Sequence, residues 1–509
     1  MAIKRYKANA DTTIVNAFKP DLRYRGTGSN MGEADVMEVF SIYGRVTTSS
    51  QELSRALIKF PVDTISTDRS NSVLPASGNV SFYLRVFNAE HSKTVPRDYS
   101  LVVRALSQSW QEGVGLDLEG YKDATHGNTG ANWMSASSTA KWTSVGGDYV
   151  VELISTAKSQ SFETGLEDLE IDITQMVEDW LTGFSGGKYN NYGLGVFLSS
   201  SYEAQFSSST GENSASVIHN PDGATTSYYT KRFFARGSQY FFKRPVIEAR
   251  WDDTTKDQRG DFYYSSSLAA GAGNLNTIYL YNYIRGKLTN IPGIGTGSIF
   301  VSLYSGSADD SMPSGTVLTL CTSNTVVTGG HVSRGIYSCS VCVPSSSAET
   351  LYDVWHSGTV QFSTGSIMPN LQGGFQAVSK PTYYLNITNL RSKYRSNETA
   401  RFNLYARDRN WKPTIYTVAS STPQNTTIVS ASYRIFRLID AYDAVPYGTG
   451  SDLHTILSYD VSGNYFDFDM SLLEPGYGYA FKFAFYDDEI SSWLEQPYMF
   501  KFRGEEYEY

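Results

Sequence analysis

At 509 residues the chain is too long for a single hydrophobic core, and its length fits roughly three domains. Charged residues make up only 18% and aromatics reach 14%, with Gly, Ser, Thr and Tyr abundant, a mixture that favours strands and turns over helices. The formal charge of -9 argues against a phosphate-binding surface, so nucleic acid is not an expected partner. No run of about 18 apolar residues occurs, so no membrane-spanning helix is expected. The segment Met1 to Lys7 is basic but leads into Ala-Asn-Ala-Asp rather than an apolar core, so no export signal is read there.

Along the chain, strands are predicted over 36–43, 56–61, 80–87, 100–106 and 149–154, separated by Gly, Ser, Pro and Asn clusters. Two connections are unusually long. Residues 111–147 carry Trp133 and Trp142 among small polar residues, and residues 203–237 are Ser-rich and then aromatic; excursions of this length usually cover a surface or bind something. Between them, Leu169, Ile171 and Ile173 alternate as a strand. The period then changes, and Met176, Val177, Trp180 and Leu181 fall on one side of a short helix, with Asp172 or Thr174 as its cap and Gly183 as its end. Tyr192, Leu194, Val196 and Leu198 alternate again, and residues 240–251 are read as a last strand.

Four motifs occur in one order, the last of them in three segments. Asn9-Ala-Asp-Thr-Thr-Ile14 opens; Arg55-Ala-Leu-Ile-Lys-Phe60 and Trp110-Gln-Glu-Gly113 follow; Asp172-Ile-Thr174, Val177 to Trp180 and Asn191-Tyr-Gly-Leu194 close. The set resembles the DNRLRE-type jelly roll, a carbohydrate-binding-module-like family, over about residues 8–200. The resemblance implies a frame and not a function, because such a fold hosts many different sites.

The polar segment 252–261 reads as a boundary and contains Arg259-Gly-Asp261, a tripeptide expected by chance. Residues 262–370 are expected to form a second sandwich: Gly335-Ile-Tyr-Ser-Cys339 resembles the tyrosine corner of immunoglobulin-like domains, although Cys321 lies too near in sequence to be the partner across the sandwich. Residues 378–505 are expected to form a third. There Leu473-Glu-Pro-Gly-Tyr-Gly-Tyr-Ala-Phe-Lys-Phe483 resembles the corresponding strand of fibronectin type III domains, with Phe481, Phe483 and Phe485 facing a core. Residues 506–509 are an acidic tail. The fold class is therefore all-β, a jelly-roll β-sandwich over 1–253 followed by two immunoglobulin-like β-sandwiches.

Asp117, Glu119 and Asp123 crowd one Gly-flanked loop; a solvated loop is the ordinary reading, and a Ca2+ site completed by Asp11 is the functional one, since hard cations take several oxygens from irregular backbone. A catalytic acid pair is not expected, because nothing desolvates these carboxylates. Cys339-Ser-Val-Cys342 with His331 has metal-knuckle spacing, but residues three apart on a strand face opposite ways, so small buried or half-buried cysteines are expected instead of zinc or a disulfide scaffold. The six histidines are scattered and no nucleophile elbow is visible. Gly293-Ile-Gly-Thr-Gly297 is followed by a strand where phosphate cradling needs a helix. Trp110, Trp133 and Trp142 are candidates to stack on a sugar, against the ordinary reading of core packing or an interface.

Sandwiches with no export signal resemble accessory virion proteins of tailed bacteriophages, and the opening Ala2 to Ile14 resembles structural proteins of myophages infecting marine cyanobacteria. That resemblance implies a non-enzymatic virion protein, made in the host cytoplasm. Its partners would be other virion proteins in a homo-oligomeric or otherwise symmetric assembly, without nucleic acid, membrane or cofactor apart from Ca2+. The alternative is an adhesin whose jelly roll binds host-surface polysaccharide.

Overall fold

A computed structural model describes residues 2–19, 23–43, 51–91, 95–116, 130–150, 157–183, 189–212, 218–225, 227–267, 269–307, 312–344, 346–370, 382–409, 425–449, 452–488 and 490–506. The protein is all-β and divides into two compact units: Ala2–Asp252 with Asp452–His454, and Asp253–Ser451 with Thr455–Tyr509.

The N-terminal unit contains β1 (Ile3–Lys7), β2 (Ala10–Val15), β3 (Val36–Tyr43), β4 (Glu52–Lys59), β5 (Val80–Val86), β6 (Tyr99–Ala105), β7 (Ala157–Phe162), β8 (Leu169–Asp172), β9 (Leu194–Leu198), the short β10 (Gln205–Phe206), β11 (Gly211–Glu212) and β12 (Ile218–Asn220), β13 (Ser227–Phe234) and β14 (Val246–Trp251). Its helices are α1 (Val62–Ser70), α2 (Thr174–Thr182) and the single turn α3 (Ser200–Glu203). A four-stranded sheet ordered β1-β14-β5-β8 faces a larger one ordered β13-β3-β4-β9-β6-β7, with β2 also on β4. Because side chains alternate along a strand, Leu101, Val103 and Ala105 of β6 point inward, where they meet Phe82 and Leu84 of β5 and Ile171 of β8.

The predicted helix is α2. Met176, Val177 and Trp180 are buried, the Asp172 carboxylate accepts the Thr174 N–H at 2.8 Å, and Gly183 ends the helix at φ 70°. Helix α1 was not foreseen, since Val62 and Ile65 are its only apolar residues and show no helical stripe. Both amino nitrogens of Arg69 bind the Glu178 carboxylate at 2.8 and 2.6 Å and so tie it to α2. The last predicted strand is shorter than expected. Phe241–Lys243 form a 3-10 turn, and Pro245, which cannot donate to a ladder, precedes β14.

In the C-terminal unit one sheet runs in the order Asn276–Tyr281, Ile336–Val341, Val327–Ser333, Ile299–Gly306, Leu351–Ser357, Val360–Ile367. Ile278, Val301, Leu303, Tyr337 and Trp355 belong to its core. The Tyr337 hydroxyl donates to the Gly295 carbonyl at 2.6 Å and accepts from the Ile291 N–H at 3.0 Å, so it ties its strand to the preceding loop as a tyrosine corner does. Two further sheets hold the strands from Tyr383 to Glu505. Phe402, Phe466, Phe481 and Phe502 interlock between them with ring centroids 4.7 to 5.3 Å apart, and the Tyr479 hydroxyl donates to the Glu474 carbonyl at 2.8 Å.

The expectation for the cysteines is corrected by the structure. Cys321 and Cys342 form a disulfide, because the loop carrying Cys321 folds onto the half-buried Cys342 just past the strand Ile336–Val341; Cys339, on the inward side of that strand, is buried and free. The knuckle reading therefore has no thiol pair. The two units divide at the start of the segment read as a boundary, and the rest of it is tied to the C-terminal unit: Lys256 bridges to Tyr459, and both Arg259 amino nitrogens bind the Asp353 carboxylate, which is fully buried. Arg259 is thus already engaged within its own unit.

Candidate functional site

The candidate site lies on the outer face of the larger N-terminal sheet. In β4, Ala56 and Ile58 enter the sandwich core, so Leu53, Arg55 and Leu57 must point the other way. The register continues the pattern across the sheet: Ile14 of β2 lies opposite Arg55, Phe197 of β9 opposite Val102, and Gly195 opposite Arg104 of β6. An outward face bearing Ile14, Leu53 and Leu57 has to be covered. The excursion after β6 covers it, adding Ala131, Trp133, Ala136 and Trp142 to a second apolar core.

Two of the three tryptophans are therefore placed differently from the sugar-stacking expectation. Trp133 is 0% and Trp142 6% exposed, and Trp142 donates its indole N–H to the Asn132 carbonyl at 2.8 Å. Neither offers a free ring face, which corrects the expectation for both. Trp110 is half-buried, and its indole N–H is taken by the Tyr192 carbonyl at 2.8 Å.

The covering segment is pinned by one buried amide. Asn30 donates to the carbonyls of Glu112 at 2.6 Å and Ala131 at 2.8 Å, and its Oδ1 accepts the N–H groups of Gly32 and Gly115, each at 3.1 Å. At Gly130, with φ at 107°, an added Cβ would lie 2.4 Å from the Asn30 amide nitrogen. Asn30 was not singled out from sequence, where nothing separates it from other loop asparagines.

Asp11 is 1% exposed, and its carboxylate accepts the backbone N–H of Arg236. Burial pushes its pKa up to about 7, against the lowering pull of that hydrogen bond. Beside it, Glu112 accepts from the Asp11 N–H at 2.9 Å and from the Arg236 guanidinium at 2.8 and 3.0 Å. Asp117, Glu119 and Asp123 lie outside the described residues, so the rest of the expected Ca2+ set has no geometry to report. Among the described residues no three His, Cys, Asp or Glu side chains are grouped to hold a metal ion.

At the other end of the covered face lies a cleft of about 570 Å³ lined by Arg55, Arg104, Gln108, Ser144, Asp148 and Tyr149, among others. Its floor is fixed. Arg55 is held by Glu203 of α3 through two hydrogen bonds of 2.7 and 2.8 Å, donates to the Gly146 carbonyl at 2.9 Å, and stacks against Trp133, Tyr149 and Phe197. Burial opposes the Arg55 charge, but the Glu203 carboxylate more than reverses this and keeps the guanidinium ionised. Tyr149 packs over Gly195, where an added Cβ would come within 2.4 Å of the ring, and its hydroxyl donates to the Gly146 carbonyl at 2.9 Å. The wall is a turn tied by the Asp148 carboxylate, which accepts from the N–H groups of Thr143 and Ser144, both at 2.8 Å. Chemically the cleft pairs a preorganised cationic floor with hydroxyl, amide and carboxylate groups, an arrangement suited to holding a polar molecule.

The fold and this face define the class of the protein: an all-β chain of sandwich architecture whose first sandwich covers its own outer sheet face. No described family and no curated protein matches the chain. Solved structures with some likeness include a chimeric titin Z1Z2 (10% identity, 47% of this chain and 90% of that one, TM-score 0.15) and Escherichia coli alpha-2-macroglobulin (9%, 98% and 34%, TM-score 0.16). A putative membrane-anchored protein from Corynebacterium diphtheriae is 9% identical over 100% of this chain and 98% of that one, with a TM-score of 0.14. This chain spans about a third of the macroglobulin. At these TM-scores none of the three bears on fold or function.

Proposed function

We propose that the chain is a non-catalytic structural component of a tailed-phage particle, made in the host cytoplasm and acting through contacts with neighbouring virion proteins. One observation carries the non-catalytic, structural part. The sheet face that a sugar-binding sandwich would leave open is closed by the chain itself, with Trp133 wholly buried beneath residues 130–150. The charged groups fit the same reading. Glu248 and Glu170 pair with Arg5, Arg85 and Arg250, and Glu203 pairs with Arg55, so buried charge here holds strands together. The placement in a phage rests on the resemblance of residues 2–14 and on the sandwich architecture.

Exposed apolar side chains such as Tyr283, Met368 and Ile439, at 60, 74 and 77% exposure, are the kind of surface that neighbours in a symmetric particle would cover. The test is a reconstruction of purified particles with peptide mass spectrometry of the same preparation. The chain should appear in stoichiometric amount with its sandwiches traceable in density; washed particles lacking it would overturn the proposal.

A further inference from the structure

Alternation along β6 sends Arg104 to the outer face, opposite Gly195, and into the lining of the cleft floored by Arg55. Elsewhere in this unit buried guanidiniums are answered: Arg55 by Glu203, Arg69 by Glu178, Arg85 and Arg250 by Glu248. Arg104 is not. The side chain is half-buried; its Nε lacks a hydrogen-bond partner, as that of Arg69 does, but among the described residues no carboxylate pairs with the Arg104 guanidinium. A half-buried guanidinium without a counter-ion is incompletely solvated, a cost that an incoming carboxylate offsets.

The rest of the lining narrows the acceptor. Gln108, Ser144 and Asp148 present amide, hydroxyl and carboxylate groups, and Asp148, although it accepts two backbone N–H groups, keeps lone pairs for further donors. The half-buried Tyr149 ring offers a flat wall held over Gly195. We infer that this cleft binds a small hydroxylated carboxylate, with the Arg104 guanidinium taking the carboxylate and Asp148, Gln108 and Ser144 taking the hydroxyls. A neutral polyol leaves Arg104 unanswered, and an apolar acid leaves the polar wall unanswered. The volume of about 570 Å³ suits a small molecule. Because the floor is fixed by the Arg55–Glu203 pair, binding requires little reorganisation. The inference does not depend on the assembly reading, because a pocket of this kind serves a particle protein or a free one equally.

The experiment uses the full chain and three probes: sodium gluconate, glucose and inorganic phosphate, with affinities from calorimetry or saturation-transfer NMR. Gluconate should bind with a Kd of about 1 mM, at the per-atom affinity usual for such ligands, and both other probes at least about tenfold more weakly. Arg104→Gln should weaken gluconate binding by about tenfold or more at an unchanged Tm. If Arg104→Gln does not fold, Ser144→Trp, which fills the cleft from an exposed position, should abolish binding instead. Gluconate binding no tighter than glucose or phosphate, or gluconate binding that survives either substitution in the folded protein, would overturn the assignment.

Discussion

Replacing Glu203 with Gln tests whether the covered face is organised around one ion pair. Arg55 and Glu203 are 7 and 5% exposed, joined by two hydrogen bonds, and Arg55 is enclosed by Trp133, Tyr149 and Phe197. Glu203→Gln keeps the side-chain shape but leaves the guanidinium uncompensated among three aromatic faces. Losing one partner of a buried pair costs about 3–5 kcal/mol, which for a unit of this size lowers Tm by roughly 6–20 °C. The double variant Arg55→Met/Glu203→Leu removes both charges and should recover most of the loss, since apolar residues of similar volume replace buried pairs at little cost. Calorimetry of the full chain would separate the transition of the N-terminal unit, and hydrogen exchange in peptides over 51–60 and 130–150 would localise the effect. Two results would refute the reasoning: a single variant within about 1 kcal/mol of the wild type, or a double variant less stable than the single one.

Trp133→Ala should cost about 3–5 kcal/mol and speed hydrogen exchange over 130–150, because it empties the centre of the second core; slow exchange there would show that the segment does not depend on the indole. Asp11 should make the N-terminal unit pH-sensitive. Its folded pKa of about 7 lies above the unfolded value, so its stabilising contribution is full below about pH 4 and is lost as pH rises through 7. Asp11→Asn, which keeps an acceptor for the Arg236 N–H, should therefore gain on the wild type by up to about 4 kcal/mol between pH 4 and 8, and parallel pH profiles would count against the buried carboxyl. Thiol titration should find no reactive cysteine in the native oxidised protein and one, Cys339, after unfolding. Cys321→Ser should destabilise by about 3 kcal/mol through the loop of 21 residues that it opens.

Much of the frame was legible because period is a local property. β3 was read at its observed bounds, and the change of period at Thr174 marked α2 correctly. Helix α1 was not legible, since two apolar residues in nine carry no stripe. The argument that Cys339 and Cys342 face opposite ways holds, but no local pattern says that the loop bearing Cys321 folds onto the outward one. The site failed in the same way. Alternation places Arg55 and Arg104 on one face; whether Trp133 covers that face or stands free is decided by residues far along the chain, and the anchoring amide, Asn30, belongs to neither element.

The tie between Arg259 and Asp353 has a practical consequence for dissecting the chain. A fragment started at Phe262, where the apolar pattern resumes, would leave the Asp353 carboxylate in its interior with the Trp355 indole N–H, 2.6 Å away, but without its cation. Such a fragment would be expressed already carrying the defect of a broken buried pair. A cut between Asp252 and Asp253 keeps the counter-ion with its sheet, and any measurement on the separated halves should start there.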